Sequence, residues 1–95
     1  METQKPITGE EKIKQHIFMA IRDIVGMLVS KSYEITSRDI FNDDKGIAIT
    51  IKTEKEDVGK IIGKEGRTVM SIRDVASSIG KKHGFKITVE VQEIV

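Results

Sequence analysis

The chain has no cysteine. That excludes disulfide scaffolds, thiolate zinc sites and cysteine nucleophiles. Two histidines, His16 and His83, are too few for a histidine-rich metal centre, so no metal or cofactor is expected. Tryptophan is absent too, and the aromatic residues are Phe18, Tyr33, Phe41 and Phe85 alone. Base stacking on rings, a common source of affinity for single strands, is therefore scarce. Apolar runs are short, and the longest, residues 17–21, falls far below the ~20 residues that span a bilayer. The first residues carry no apolar signal core, and a reducing, cytoplasmic setting is the expectation. Charge of one sign is also lacking. Sixteen basic and fifteen acidic residues leave a formal net charge of +1, a number that by itself argues against a nucleic-acid binder.

What is present fits one small folded domain. The 95 residues are 38% hydrophobic and 33% charged, and a chain this short buries roughly 60–65% of its unfolded surface in a single core. Residues 1–8 are polar, hold Pro6 and read as a tail; residues 9–95 read as the domain. Thr8 and Glu11 have capping-box spacing and predict a helix start. Ile13, Ile17, Ala20, Ile21, Ile24 and Leu28 follow at helical spacing, widened by Phe18, Val25, Met27 and Val29. The apolar arc spans roughly 200°, against the ≳100° that one-sided burial needs. Two readings stay open: a helix sunk deep into its own sheet, or one with a second apolar edge for a partner.

Residues 33–41 predict an irregular strand, because the alternation there is weak. Asn42, Asp43, Asp44, Lys45 and Gly46 are turn chemistry, with Gly46 free to take a positive φ. Ile47, Ile49 and Ile51 alternate with Ala48, Thr50 and Lys52 as a clear strand. Thr53 and Glu56 repeat the capping-box spacing and predict a second helix, with Val58, Ile61 and Ile62 on its apolar side. Gly63 ends it. After Lys64 and Glu65, Gly66 opens a third helix with Val69, Ile72, Val75, Ala76 and Ile79 on one face; Lys81–Gly84 reads as a short loop. Phe85, Ile87, Val89 and Val91 alternate as the last strand. The order is α-β-β-α-α-β. A hairpin joins the first two strands, and the helix pair crosses over to a parallel third strand. The fold class is α+β: a three-stranded mixed sheet with three helices packed on one face.

Function is carried by the segment between the second and third helices. Two glycines three apart, Gly63 and Gly66, join them almost without a linker. Lacking Cβ atoms, they let a nucleic-acid backbone approach closely. The helix N-terminus beyond Gly66 offers free N–H groups and the positive end of its dipole to phosphate. Lys60, Lys64 and Arg67 crowd the same spot, while Arg73, Lys81, Lys82 and Lys86 add charge further on. A P-loop is excluded: the spacing from Gly59 to Gly63 is one residue short, and Glu65 stands where Ser or Thr must reach magnesium. No catalytic constellation is present, and an enzyme is not expected.

The run Ile61-Ile62-Gly63-Lys64-Glu65-Gly66-Arg67-Thr68-Val69 fits the I-I-G-x-x-G-x-x-[I/V] core of the KH domain family. The element order resembles the type II, prokaryotic version. Across residues 10–95 the chain is similar to the small single-KH bacterial RNA-binding proteins of the KhpA-like group. The resemblance implies a groove for about four nucleotides of single-stranded RNA. Carried over by position, Gly63, Lys64, Glu65 and Gly66 are the clamping loop. Val58, Ile61, Ile62, Val69 and Ile72 form its apolar side, and Phe85, Lys86 and Ile87 its other wall. Glu65 departs from what phosphate favours and implies weak binding. The resemblance also implies a homodimer or a heterodimer with another KH-containing protein, in post-transcriptional regulation or as an RNA chaperone. No membrane or small-molecule partner is expected. Two alternatives stay open: a KH-shaped interaction or dimerisation module with a weakened RNA site, favoured by Glu65, and single-stranded DNA binding.

The net charge conceals a division. Residues 59–86 hold seven basic and two acidic residues, a net +5, which leaves −4 on the rest of the chain. The near-neutral total is the sum of two opposed regions, and the positive one coincides with the paired glycines.

Overall fold

The computed structural model describes residues 9–41 and 45–94. The expected tail and the centre of the expected turn, residues 42–44, lie outside them. Helix α1 (Gly9–Leu28) is followed by β1 (Tyr33–Phe41), β2 (Lys45–Thr53), α2 (Lys55–Ile62), a single 3-10 turn (Lys64–Gly66), α3 (Arg67–His83) and β3 (Lys86–Glu93). Strand β2 is central; β1 pairs with it antiparallel and β3 parallel. This is the mixed sheet and the α-β-β-α-α-β order expected of a type II KH fold.

Every second residue of β2 makes the core floor. Ile49 and Ile51 are fully buried and Ile47 nearly so. Ile17 and Ile21 of α1, Ile61 of α2, and Ile72 and Ala76 of α3 join them in one cluster with Ile87 and Val89 of β3. All three helices therefore cover the same face of the sheet. Burial of each large aliphatic side chain is worth about 1.5–3 kcal/mol.

Several local expectations are overturned. Strand β1 is not irregular: nine residues pair in unbroken register, from Tyr33 opposite Thr53 to Phe41 opposite Lys45. Its alternation is weak because an edge strand, mostly exposed here, needs little apolar sequence. Gly46 is not a turn residue. It sits in β2 opposite Ile40, and a Cβ there would lie 2.1 Å from the Lys86 carbonyl. The Lys81–Gly84 loop is mostly helix: α3 runs to His83 and stops on a left-handed Gly84. Val75 leaves the buried face and is 60% exposed. On α1 only Ile17, Ile21 and Val25 are buried, whereas Met19, Ile24 and Met27 are exposed. The first helix is thus not sunk all round; one apolar edge is left open.

The first expected capping box, at Thr8, lies outside the described residues; the second, at Thr53, does not form. Thr53 is the last residue of β2, fully buried, with no protein partner for its hydroxyl among the described residues. Glu54 takes the cap position without a side-chain hydrogen bond. The junction is held by Asp57 instead, a fully buried carboxylate in the first turn of α2. Its Oδ2 accepts from the backbone N–H groups of Ser30 (3.1 Å) and Lys31 (2.8 Å). Its Oδ1 forms an ion pair with the Lys60 ammonium at 3.0 Å, without the alignment of a hydrogen bond. The Lys60 contact is the largest influence holding the Asp57 carboxyl below its ordinary range; burial opposes it, and the two backbone donors reinforce it. One carboxylate thus staples the link after α1 to the start of α2.

Two buried polar groups at this junction are expected to respond oppositely. Asp57→Asn leaves buried donors and the Lys60 charge poorly matched, and should lower the melting midpoint by at least about 5 °C. Thr53→Val removes an unpaired hydroxyl at constant shape, and should raise unfolding free energy by about 1 kcal/mol. Because the folded pKa of Asp57 is depressed, its contribution is present above the ordinary value of 3.8 and is lost as pH falls through the folded value. Urea titrations at neutral pH and below pH 4 check both points: the Asp57→Asn deficit should shrink in acid.

Candidate functional site

Helices α2 and α3 reverse direction within residues 63–66, and the backbone there is almost entirely left-handed. Gly63 has φ 79° and ψ 173°, Glu65 φ 56° and Gly66 φ 75°. The first combination is accessible essentially to glycine alone. The reversal is closed by two hydrogen bonds, from Gly63 N–H to the Gly59 carbonyl (2.8 Å) and from Gly66 N–H to the Gly63 carbonyl (3.1 Å). The glycines differ in surroundings. A Cβ on Gly63 would collide with Thr68, 2.6 Å from its Cβ and 2.8 Å from its backbone nitrogen, whereas one on Gly66 would meet open space. Gly63 is needed for closure; the bare surface is at Gly66.

Around this turn the side chains separate into three groups. Lys64, Glu65 and Arg67 are exposed at the apex. Arg67 lies 3.4 Å from the Glu65 carboxylate, so the one acid in the turn is already paired with a base. Gly66 caps α3 with no side-chain hydrogen bond, and α3 has no acid in its first turn. Val58 and Ile62 are half-buried on α2 and present apolar surface beside the turn. Ile61, Val69 and Ile72 are core residues at 0%, 4% and 8% exposure. They support the surface from beneath.

Lys60, expected beside the glycines, is not brought to the apex, and Lys86 and Ile87, expected on the other wall, lie at the far end of α3. The Lys60 ammonium turns back along α2 to Asp57 and to the Ser30 hydroxyl, to which it donates a hydrogen bond. Lys86 and Ile87 open β3 just beyond the C-terminal end of α3, and Ile87 is buried. Gly66 and Lys81 stand ~22 Å apart along the helix at 1.5 Å per residue, so this pair lies at the far end. The flank of α3 that faces β3 carries a residue that sequence reasoning counted only as added charge. Arg73 Nε donates to the Val89 carbonyl at 3.0 Å, tying the flank of α3 to β3. Its position one turn beyond Val69, on the side of α3 away from Val75, is the signal that could have singled it out.

Among the described residues there is no cluster of His, Asp and Glu that could hold a metal ion. No helix among the described residues is long and apolar enough to cross a membrane.

The two glycines should differ under substitution. Gly63→Ala meets a backbone atom as well as a forbidden conformation, and is expected to cost at least ~3 kcal/mol. Gly66→Ala meets only the left-handed penalty, about 1 kcal/mol. Chemical denaturation of both variants checks the order; equal losses would show that space at Gly63 does not matter.

The chain is similar to known proteins. The family of KhpA/KhpB KH domains matches residues 19–91. The RNA-binding protein KhpA of Chlamydia trachomatis is 36% identical over 70 residues, 74% of this chain and 88% of that protein. The RNA-binding protein KhpA of Aquifex aeolicus is 30% identical over 78 residues, covering 78% of this chain and 98% of that one. Among solved structures, a variant of Aquifex aeolicus Era bound to GDP and AlF4- superposes with a TM-score of 0.52 at 17% identity. That match takes in 99% of this chain but 34% of Era, and supports the fold alone. With a family match over most of its length, and with the glycine turn where the motif requires it, the chain belongs to the KhpA/KhpB family of KH domains.

Proposed function

We propose that this protein binds single-stranded RNA without catalysis, gripping about four nucleotides at the Gly63–Gly66 turn. The observation that carries the reading is the left-handed turn itself. It exposes a glycine with open space beside it, an uncapped helix N-terminus, and the cations of Lys64 and Arg67. A sugar-phosphate backbone seats against such a surface through backbone donors and charge. Bases then lie towards Val58 and Ile62, with Arg73 along the wall. Relatives named RNA-binding protein KhpA support RNA as the ligand. Pairing of Glu65 with Arg67 offsets part of the repulsion towards phosphate, yet also occupies one cation, so affinity per domain is modest. The protein acts in the cytoplasm in post-transcriptional regulation or as an RNA chaperone.

A specific surface favours assembly of two copies. Between α1 and α3 runs a groove of about 240 Å³ lined by Ile17, Ala20, Ile24, Val75 and Ile79, among others, with Ser71 its one polar contributor. Val75 stands 60% exposed beside it. The same patch on a second copy is its natural complement in a twofold pair. None of the groove residues belongs to the 63–66 turn, so the pair keeps both clamps open and raises effective RNA concentration.

Titration of short single-stranded RNA and matched DNA at two salt concentrations tests the first reading. Wild type should bind RNA with strong salt dependence, and Lys64→Asp should weaken it at least about tenfold with the fold intact. Equal affinity for DNA would assign the site to single strands in general, and no binding to either would overturn it in favour of an interaction module. For assembly, sedimentation should give a dimer for wild type and a folded monomer for Val75→Asp. A monomeric wild type at high micromolar concentration would remove the pairing.

A further inference from the structure

At the end of α3 opposite the glycine turn, a second concave surface gathers three lysines from three elements. Lys45 comes from the first residue of β2, Lys81 from the last turn of α3 and Lys86 from the first residue of β3. The hollow measures about 620 Å³; Ser77, Gly80, Gly84, Phe85 and Ile87 complete it, and no acidic residue lines it. Lys81 and Lys86 make no ion pair among the described residues, and Lys45 has only a distant one, 3.9 Å to Glu10. Lys14, whose ammonium lies 5.6 Å from the centre of the Phe85 ring, is by contrast held by Glu10 and Asp39.

A structural account covers part of this. Lys81, Lys82 and His83 occupy the last turn of α3, where cations complement the helix dipole. That account does not reach Lys45 or Lys86, which stand on strands. Like charges drawn into one hollow repel each other unless an anion joins them. Arg73, Ser77 and Lys81 follow one another at four-residue spacing, so the same flank of α3 leads from the proposed RNA groove to this hollow.

We propose that Lys45, Lys81 and Lys86 form a second phosphate-binding subsite, which takes a phosphodiester of the same RNA strand beyond the nucleotides held at Gly63–Gly66. The inference rests on the RNA reading above. It makes the footprint of one domain longer than the clamp, and it makes affinity depend on strand length.

Binding of oligouridines of about four and about ten nucleotides tests this, using the full chain and the paired variant Lys45→Gln with Lys81→Gln. Both side chains are exposed at the surface, so melting curves should stay close to wild type. A charge-matched control, Arg38→Gln with Lys52→Gln, alters the sheet face turned away from the helices. The subsite variant should weaken the longer strand about five- to tenfold at low salt, lower its salt slope by about 1.4, and leave the shorter strand within about twofold. The control should change the longer strand less than about twofold. Loss of affinity for both lengths alike, or no more loss than in the control, would assign the lysines to general attraction and overturn the subsite. If wild type binds neither length, the RNA reading fails and the subsite falls with it. If inorganic phosphate or a mononucleotide protects the hollow at micromolar concentration while the ten-nucleotide strand does not, the site belongs to a free phosphate and not to RNA.

Discussion

The reversal between α2 and α3 in four residues is the constraint on which the rest depends. Strands β2 and β3 run parallel, so the chain must cross the sheet between them. It does so with two helices and no loop to spare. That economy is possible only with left-handed backbone at Gly63, Glu65 and Gly66 and with Thr68 filling the space Gly63 leaves. Glu65 bears a conformational cost of roughly 1–2 kcal/mol that glycine would not. The tight turn brings Ile61 and Val69 into the core from successive helices and leaves Lys64 and Arg67 no direction but outward. Fold closure and the presentation of charge have one cause.

Asp57 fixes the other end of the same helix. It holds the backbone of Ser30 and Lys31, so α2 is tied to the exit of α1 at its start and to α3 at its finish. Lys60 is recruited to this work, although its position in sequence is as close to the glycines as that of Lys64. A lysine one turn before the loop, three residues from a buried acid, satisfies that acid; a lysine inside the loop has none to satisfy.

This distinction marks where sequence reasoning reached and where it stopped. Period-two isoleucines in β2, the helical stripe through Ile17 and Ile21, and the paired glycines were legible because each is a local pattern with one physical cause. The element order and the mixed sheet follow from them. The Thr53 capping box was legible and wrong, because strand pairing out to Glu93 claimed Thr53 first. Ile61 and Ile62 look alike in sequence, yet one is core and the other half-exposed, as adjacent helix positions must be once the buried face is set. Lys86 reads in sequence as part of the other wall through its strand, but only the direction of β3 against α3 shows that it lies at the end of α3 away from the glycine turn. Val75 sat within the periodic stripe and still faces out, because α1 stops short of covering it.

Helix α3 therefore has three sides with separate chemistry. Val69, Ile72, Ala76 and Gly80 face the core; Ser71, Val75 and Ile79 face the groove beside α1; Arg73, Ser77 and Lys81 face β3 and the hollow beyond it. A rigid helix keeps such sides apart at fixed angles, so contact along one does not block another. The division of charge follows the same geometry. The region from 59 to 86 is net +5 and the remainder −4, and the basic residues of α3 fall mainly at its two ends and along the β3 side, not on the apolar side. Two copies meeting at that apolar side would bring together little like charge while holding two basic tracks outward. A domain poor in aromatic rings and near neutral overall gains little from any single contact. For the RNA binding proposed above, the means of raising affinity are length of contact along one strand and number of copies, and the separate sides of α3 are compatible with both.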